Sequence, residues 1–496
     1  MMKSFVYRLS VVTLLVSVSA NVFANDARMN VLFLISDDLN TSLGCYGHPL
    51  VKSPNIDRLA ARGMRFERAY CQFPLCGPSR NSMLTGLYPN STGIHSNSQI
   101  FRQSIPKQHS LTQSFRLEGY FAARIGKLYH YQVPKGIGTN GHDDPASWEM
   151  ELNPAGCDRL IEEPDIFTIN PGNFGGSLSW YASPRSDAEH TDGMQARDAE
   201  WVLERCAKES RPFFLAVGFY RPHTPYVAPE EYFTHYPTND IPLVQGVKED
   251  QQDLPADALA SRKPEQARLN DNLRREAKQA YFASIEFMDA QVGYVLDALE
   301  RNGLADNTIV VFTSDHGYHL GEHGLWQKQS LFEESARVPL IIAPPSLSKT
   351  GSVCESLVGL VDLAPTLLEA CGVTAPDNLQ GQSLVPMLKD PTHAGRGWSL
   401  TQVVRKKGRA ERTFGYTLRT ARWRYTEWDG GNRGRELYDH DADPQELTNL
   451  ALLGDDSDTM KELSAQLQQA VATTLPESGE IPQIDSVLWQ PNLTDP

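Results

Sequence analysis

Positive charge is in short supply. The 496 residues carry 46 Lys and Arg against 61 Asp and Glu, a formal net charge of −15. That balance excludes a general nucleic-acid binder, which needs a basic footprint, but leaves room for a small basic pocket around an anionic substrate. Long apolar runs are missing as well. No segment past the amino terminus reaches the roughly 18 apolar residues that a membrane-spanning helix needs. Cysteine is sparse and odd in number, seven in all, with no Cys-x-x-Cys pair to hold a metal. In an oxidising compartment six of them could form up to three disulfides, with at least one thiol left over. There is no repeat at solenoid periods and no Gln/Asn-rich, Ser-rich or collagen-like tract. A hydrophobic share of 40% suffices for a large buried core.

Residues 1–24 read as a signal peptide. Lys3 and Arg8 make its basic start, Leu9 to Val18 its apolar core, and Val22-Phe23-Ala24 its small-residue cleavage site. The core is too short to cross a membrane, and no cysteine follows it to take a lipid. A periplasmic or secreted protein without a membrane anchor is expected. Residues 25–390 are expected to form a catalytic domain and 391–496 a C-terminal subdomain.

Four apolar runs end abruptly in polar residues. They are Asn30 to Asp38, Tyr120 to His130, Pro212 to Pro225 and Thr308 to Gly317. Continuous apolar runs of this kind suit strands buried on both faces. Amphipathic stretches lie between them, the longest from Glu276 to Gly303. Alternating strands and helices predict an α/β fold with a large, mostly parallel sheet, in which ligands bind beyond the carboxyl ends of the strands. Each polar cluster falls at such an end. Thr238 to Asn272 lacks periodicity and reads as a surface excursion, and Asp362 to about Cys371 as a last core helix. Beyond about Asp390, three short strand patterns and a final helix near Thr459 to Ala472 suggest a smaller α+β subdomain with an antiparallel sheet.

Within Pro74-Leu-Cys-Gly-Pro-Ser-Arg, Cys76 precedes a helix expected to start at Pro78, where free backbone N–H groups favour an anion. Arg80, about one turn on, can fold back to the same point. Cys76 could be a buried structural thiol, a disulfide partner of Cys71 or a nucleophile. Only three residues separate it from Arg80, fewer than the phosphotyrosine-phosphatase pattern requires. Asp37 and Asp38 close one strand, and Asp315 and His316 close another. Converging carboxylates call for a hard cation, Ca²⁺ or Mg²⁺. Lys127, His130, His223 and Lys328 follow apolar runs or glycine-rich turns. Together they suit a tetrahedral oxyanion.

The stretch CGPSRNSMLTG from Cys76 to Gly86 matches the C-x-P-S-R-x-x-x-x-T-G signature, and the chain resembles the type I sulfatases. The long stretches around Phe213, Tyr281 and Asp315 are most similar to the iduronate-2-sulfatase branch and its bacterial polysaccharide-active relatives. The resemblance implies an alkaline-phosphatase-like α/β sandwich. It implies that a maturation enzyme, formylglycine-generating or radical, oxidises Cys76 to Cα-formylglycine, whose hydrate attacks sulfur. It further implies one Ca²⁺ on Asp37, Asp38, Asp315, His316 and the modified Cys76. Lys127, Lys328 and Arg80 would neutralise the sulfate, with His223 giving the leaving group its proton and His130 assisting the second hydroxyl. The implied substrate is a sulfated sugar of an acidic polysaccharide, of glycosaminoglycan, ulvan or carrageenan type. Arylsulfatase and phosphonate or phosphate monoesterase activities share the same cysteine chemistry, and a non-catalytic glycan-binding protein is the reading from a different class. Arg221, Tyr318, His319, Arg419 and Arg424 are candidate contacts to the sugar, with Arg419 and Arg424 alternatively tying the C-terminal sheet to the core.

Overall fold

The computed structural model describes residues 28–347, 349–407, 411–453, 458–482 and 484. The expected signal peptide lies outside the described residues. The apolar runs become central strands of an eight-stranded sheet ordered Ser352–Gly359, Met64–Tyr70, Arg337–Ala343, Thr308–Ser314, Asn30–Asp37, Phe213–Pro222, Phe121–Gly126 and Met150–Leu152. Only Arg337–Ala343 runs against both its neighbours; the other pairings are parallel. Asn30–Asp37, Phe213–Pro222 and Thr308–Ser314 are buried along their whole length, which is why they read as unbroken apolar runs.

Both faces are covered. Leu32 and Leu34 pack toward helices Pro54–Arg62, Thr191–Cys206 and Asp271–Arg301, while Val31, Phe33 and Ile35 pack toward Cys76–Thr85, Leu111–Leu117 and Leu363–Cys371. The alternation follows from the two-residue period of a strand. Helix Asp271–Arg301 starts at Asn270, whose side chain accepts from Leu273 N at 3.0 Å. Its Asp289 accepts from the backbone N–H groups of Asn55 and Ile56 at 3.1 and 2.8 Å, capping the helix packed beside it.

Past the large sheet, Ser399–Lys407, Glu411–Arg419, Trp423–Trp428 and Arg435–Asp439 form a four-stranded antiparallel sheet. Helix Asp458–Thr473 lays Met460, Leu463, Leu467 and Ala470 on its Leu400, Leu418, Tyr425 and Leu437.

Three expectations need correction. The helix expected from Pro78 begins two residues earlier, at Cys76, behind an extended Leu75. Pro78 still falls in the first turn, where no N–H is needed, and the Asn97 side chain accepts from Gly77 N at 2.8 Å. The segment read as a surface excursion does run along the surface, but it is also a brace: Asp257 pairs with Arg433 at 2.5 Å, and Asp253 accepts from Asn449 N at 2.9 Å. All seven cysteines are free thiols, so none of the possible disulfides forms. Among the described residues no helix is long and apolar enough to cross a membrane.

Candidate active site

Strand register assembles the site. Ser36 pairs with Ser314, so Asp37 and Asp315 leave adjacent parallel strands side by side. On the other flank the register with Phe213–Pro222 shifts after Ile35, so that Asp37 faces Pro222 and His223 follows at the same rim. Gly126 pairs with Gly218 one strand further out, and Lys127 emerges there. Gly126 has φ +71°, and a Cβ on it would meet the Gln195 side chain at 2.2 Å and Gly218 O at 2.4 Å, so the turn toward Lys127 requires glycine. Asp192 accepts from Tyr220 N and Arg221 N, both at 2.9 Å, which fixes the backbone leading to His223.

Cys76 lies where these ends meet, at the first turn of its helix. Its Sγ is 3.3 Å from Lys328 Nζ, 3.4 Å from His316 Nε2 and 3.8 Å from Asp38 Oδ1. Asp38 is in the left-handed region at φ 67° and accepts Lys328 Nζ at 2.5 Å; Asp37 accepts Lys127 Nζ at the same distance. Gln327 and Gln329, on either side of Lys328, also have positive φ, at 75° and 71°. Such conformations cost about 1–3 kcal/mol each and persist where surrounding structure imposes them. Arg80 is wholly buried. It donates to Asp315 Oδ2 at 2.9 Å, Asp37 Oδ1 at 3.1 Å, Lys127 O at 2.6 Å and Leu128 O at 3.2 Å. Four bonds out of five donors make it a brace for the carboxylates rather than a hand for the sulfate.

The charges form a balanced lattice. Burial pushes Asp37 up, yet Lys127, His223, Arg80 and Lys328 together hold it well below the usual carboxylate range. Asp38 is raised, by burial first and also by Asp37 and Asp315. Burial likewise drives the Cys76 thiol far above its usual value, against the pull of Lys127 and Lys328. The thiol is therefore a neutral group, not a thiolate nucleophile. His223 and His130 are both pushed well below the usual imidazole range. Burial is the chief cause, with Lys328 adding to it for His223 and Lys127 for His130. His223 Nδ1 lies 2.5 Å from Thr224 O, and Nε2 is directed toward Asp38 Oδ2 at 3.8 Å.

Two overlapping groups have the geometry of a cation site: Asp37, Asp38, Cys76 and His223, and Asp38, Cys76, Asp315 and His316. Asp38 Oδ2 is buried and accepts no hydrogen bond. A buried carboxylate oxygen without a donor, among further carboxylates and an imidazole, suits a hard divalent cation.

The five expected sugar contacts lie elsewhere. Arg221 is 2% exposed, pairing with Asp158 at 2.5 Å and donating to Val227 O at 2.7 Å. Tyr318 is fully buried. Its ring stacks on Tyr281 at 5.2 Å and its hydroxyl meets that of Tyr226 at 2.6 Å. Tyr281 in turn donates to Asp38 O at 2.8 Å, so the stack supports the backbone at Asp38 instead of a sugar ring. His319 is buried with Nε2 on Ser330 Oγ at 2.6 Å. Arg424 bridges Glu333 and Glu446 and donates to Leu331 O at 3.1 Å, while Arg419 approaches Glu333 at 3.6 Å. Those two arginines tie the C-terminal sheet to the core.

A cleft of about 390 Å³ opens above Lys328, His223 and His130. Its outer wall comes from Asn97, the Tyr131–Lys135 turn, the Gly172–Gly176 loop, Lys263 and Gln329. Sequence reading missed all of these. The wall residues carry no period and no recognisable spacing; the nearest thing to a signal is a lysine ahead of Pro264 in an otherwise featureless polar stretch.

A buried carboxylate–imidazole–lysine floor at the strand ends of a mostly parallel sheet has the chemistry of a hydrolase of anionic esters, on an alkaline-phosphatase-like architecture. The sulfatase family model matches residues 29–373, and that of the N-sulphoglucosamine sulphohydrolase C-terminal region matches 321–474. A sulfatase of Formosa agariphila is 34% identical over 437 residues, covering 85% of this chain and 83% of its own. Iduronate 2-sulfatase of Mus musculus is 32% identical over 511 residues, covering 86% and 91%. The solved phosphonate monoester hydrolase of Agrobacterium radiobacter shares the fold at a TM-score of 0.75, with 92% of this chain and 100% of that one covered at 23% identity. The chain belongs to the sulfatase family and is a sulfuric ester hydrolase.

Proposed function

We propose that the protein removes an O-sulfate from a sugar of an acidic polysaccharide or its oligosaccharides, using Cys76 matured to Cα-formylglycine and one Ca²⁺. The observation that carries this reading is Cys76 itself. It is a buried, neutral thiol at a helix N-terminus, within 4 Å of Lys328, His316 and Asp38. A thiol held there unionised is a poor nucleophile. The matured group supplies a hydroxyl to attack sulfur and a second hydroxyl through which the aldehyde is restored. Asp37, Asp38, Asp315 and His316 would hold the cation, which supplies charge to polarise the sulfate.

The chain's own residues do the rest. The helix N-terminus of Cys76–Thr85 favours negative charge at residue 76. Lys127 and Lys328, held by Asp37 and Asp38, add positive charge near the attack point. Arg80 holds Asp37 and Asp315 in place. His223, with Nδ1 committed to Thr224 O, presents Nε2 to the leaving oxygen. It is neutral in the free site, and an anionic ester docking beside it favours its protonation, which makes it the acid for a poor alkoxide leaving group. His130, kept neutral, is available to accept a proton.

Similarity to iduronate 2-sulfatase over most of both chains supports a sugar substrate. The expected signal peptide supports maturation partners met before or during export and a periplasmic or secreted site of action. A desulfation screen across defined sulfated oligosaccharides, with nitrophenyl sulfate and nitrophenyl phosphonate esters alongside, tests the reading. Release of sulfate from at least one oligosaccharide in preference to the aryl and phosphonate esters is expected. A preference for either ester over every oligosaccharide contradicts it.

A further inference from the structure

The cleft above the proposed catalytic floor is lined by Lys135, Lys263, Lys328, His130 and His223 and by no Asp or Glu, in a chain with 61 acidic residues. Two of these lysines are not accounted for by the chemistry at sulfur. Lys135 is exposed at the rim. Lys263 reaches inward from the brace segment, and its ammonium meets only the Gly176 carbonyl and Gln327 Oε1, the latter at 2.6 Å. Both partners are neutral. Among the described residues no carboxylate comes within ion-pair distance of it. The contrast with the floor is sharp: Lys127 and Lys328 each sit 2.5 Å from an aspartate.

The wall holds Lys263 in place through backbone. The Gly172–Gly176 loop packs so closely on the Tyr131–Lys135 turn that a Cβ on Gly175 would meet Val133 O at 1.5 Å. That packing places the Gly176 carbonyl for Lys263. An ammonium has three donors, and two neutral acceptors leave one free and the charge uncompensated. The charged groups around it are Lys328, which opposes its charge, and Glu265 and Asp38, which favour it at longer range. Burial and Lys328 bring it down to about 8.

We propose that Lys263 recognises a second anionic group on the substrate, a carboxylate or another sulfate next to the sulfate that is cleaved. This rests on the sulfated-sugar reading above and makes Lys263 a specificity-determining residue. A lysine head is a compact point charge without the geometric preference of a guanidinium fork, so either anion fits it chemically.

The test compares wild-type and Lys263→Met protein, with residue 76 matured to the same extent in both. Three O-sulfated disaccharides are used: one with a neighbouring carboxylate, its carboxyl-reduced counterpart, and one with a second sulfate in place of the carboxylate. Wild type should prefer one or both doubly charged substrates in kcat/KM. Lys263→Met should cut that preference about tenfold, mainly through KM, as expected for loss of one charge-assisted hydrogen bond. Lys263→Arg should restore part of it. Loss confined to the carboxylate substrate assigns a carboxylate to the subsite, and loss confined to the disulfated one assigns a sulfate. An unchanged preference in Lys263→Met overturns the proposal. Equal losses on all three substrates do so too, because Lys263 would then only brace Gln327 and Lys328. If wild type hydrolyses none of the three, the sulfated-sugar reading falls and the subsite with it, whereas failure in Lys263→Met alone leaves that reading standing.

Discussion

The floor and the wall of the cleft are built on opposite plans. On the floor every charge answers another: Arg80 joins Asp37 to Asp315, Lys127 faces Asp37 and Lys328 faces Asp38. The residues come from the carboxyl ends of adjacent strands, and register alone sets their spacing. The wall is assembled from loops far apart in sequence, and its lysines have no acidic counterpart in the cleft. A balanced floor is one that can hold a cation and a reacting group in fixed geometry. An unbalanced wall is one that waits for charge from outside. The proposed chemistry belongs to the first and the proposed selectivity to the second, and substitutions in the two should separate accordingly.

The largest effect is expected at the floor. Cys76→Ser, made in a host that cannot convert serine, should fold normally and lose about 10⁴-fold or more in multiple turnover, because serine has no second hydroxyl through which to release sulfate. A steady-state assay beside a single-turnover burst measures this; near-wild-type turnover would rule out the aldehyde. Next, Asp315→Asn or chelation should lower kcat/KM roughly 10²- to 10³-fold, since the site then lacks the proposed cation's charge to polarise the sulfate. Elemental analysis paired with activity checks this, and full activity in metal-free protein would remove the calcium assignment.

His223→Ala should cost roughly 10²-fold on a sugar sulfate and clearly less on nitrophenyl sulfate, whose leaving group needs no acid. Equal losses on both would take the proton-donor role away from His223. Away from the cleft, Arg424→Met should lower stability by about 3–5 kcal/mol, because it leaves Glu333 and Glu446 buried without their partner. Its KM for sugar sulfates should not move, and a selective rise in KM would return Arg424 to the cleft. Acid should act on the same tether. Burial pushes Glu446 up, but Arg424 and His440 hold it down to about 2, below its unfolded value. The stability it contributes is therefore full above the ordinary glutamate range and lost as pH falls from there toward about 2. Acid unfolding followed by tryptophan fluorescence should show this in wild type and a flatter acid limb in Arg424→Met. The smallest effect is expected for Tyr318→Phe. Losing the hydroxyl bond to Tyr226 should cost about 1 kcal/mol, read as a shift in thermal midpoint, without a selective change in KM.

How much of this was legible in sequence follows the same division. The main strands announced themselves because burial on both faces demands unbroken apolar residues, and a parallel sheet forces catalytic groups to the ends of those runs. Asp37 and Asp315 could therefore be named before any coordinates, whereas Cys76 stood out through the Cys-Gly-Pro-Ser-Arg stretch at a helix start. Arg221, Tyr318 and His319 were misplaced for a related reason. Proximity in sequence to the metal pair or to His223 says nothing about which way a side chain turns, and all three turn into the core, where Asp158, Tyr226 and Ser330 meet them. Arg419 and Arg424 look alike as arginines on an antiparallel strand pair, and only the positions of Glu333 and Glu446 reveal them as tethers. Lys263 was invisible because its role depends on where a loop without periodicity folds, which local patterning does not encode.

The central claim is that residue 76 does its work as an aldehyde rather than as a thiol. Mass spectrometry of the peptide containing residue 76, taken from active protein co-expressed with a maturation enzyme and from protein made without one, tests it directly. The account predicts Cα-formylglycine at position 76 in a fraction that rises and falls with sulfatase activity across preparations. Full activity in protein whose residue 76 is an unmodified cysteine would contradict it.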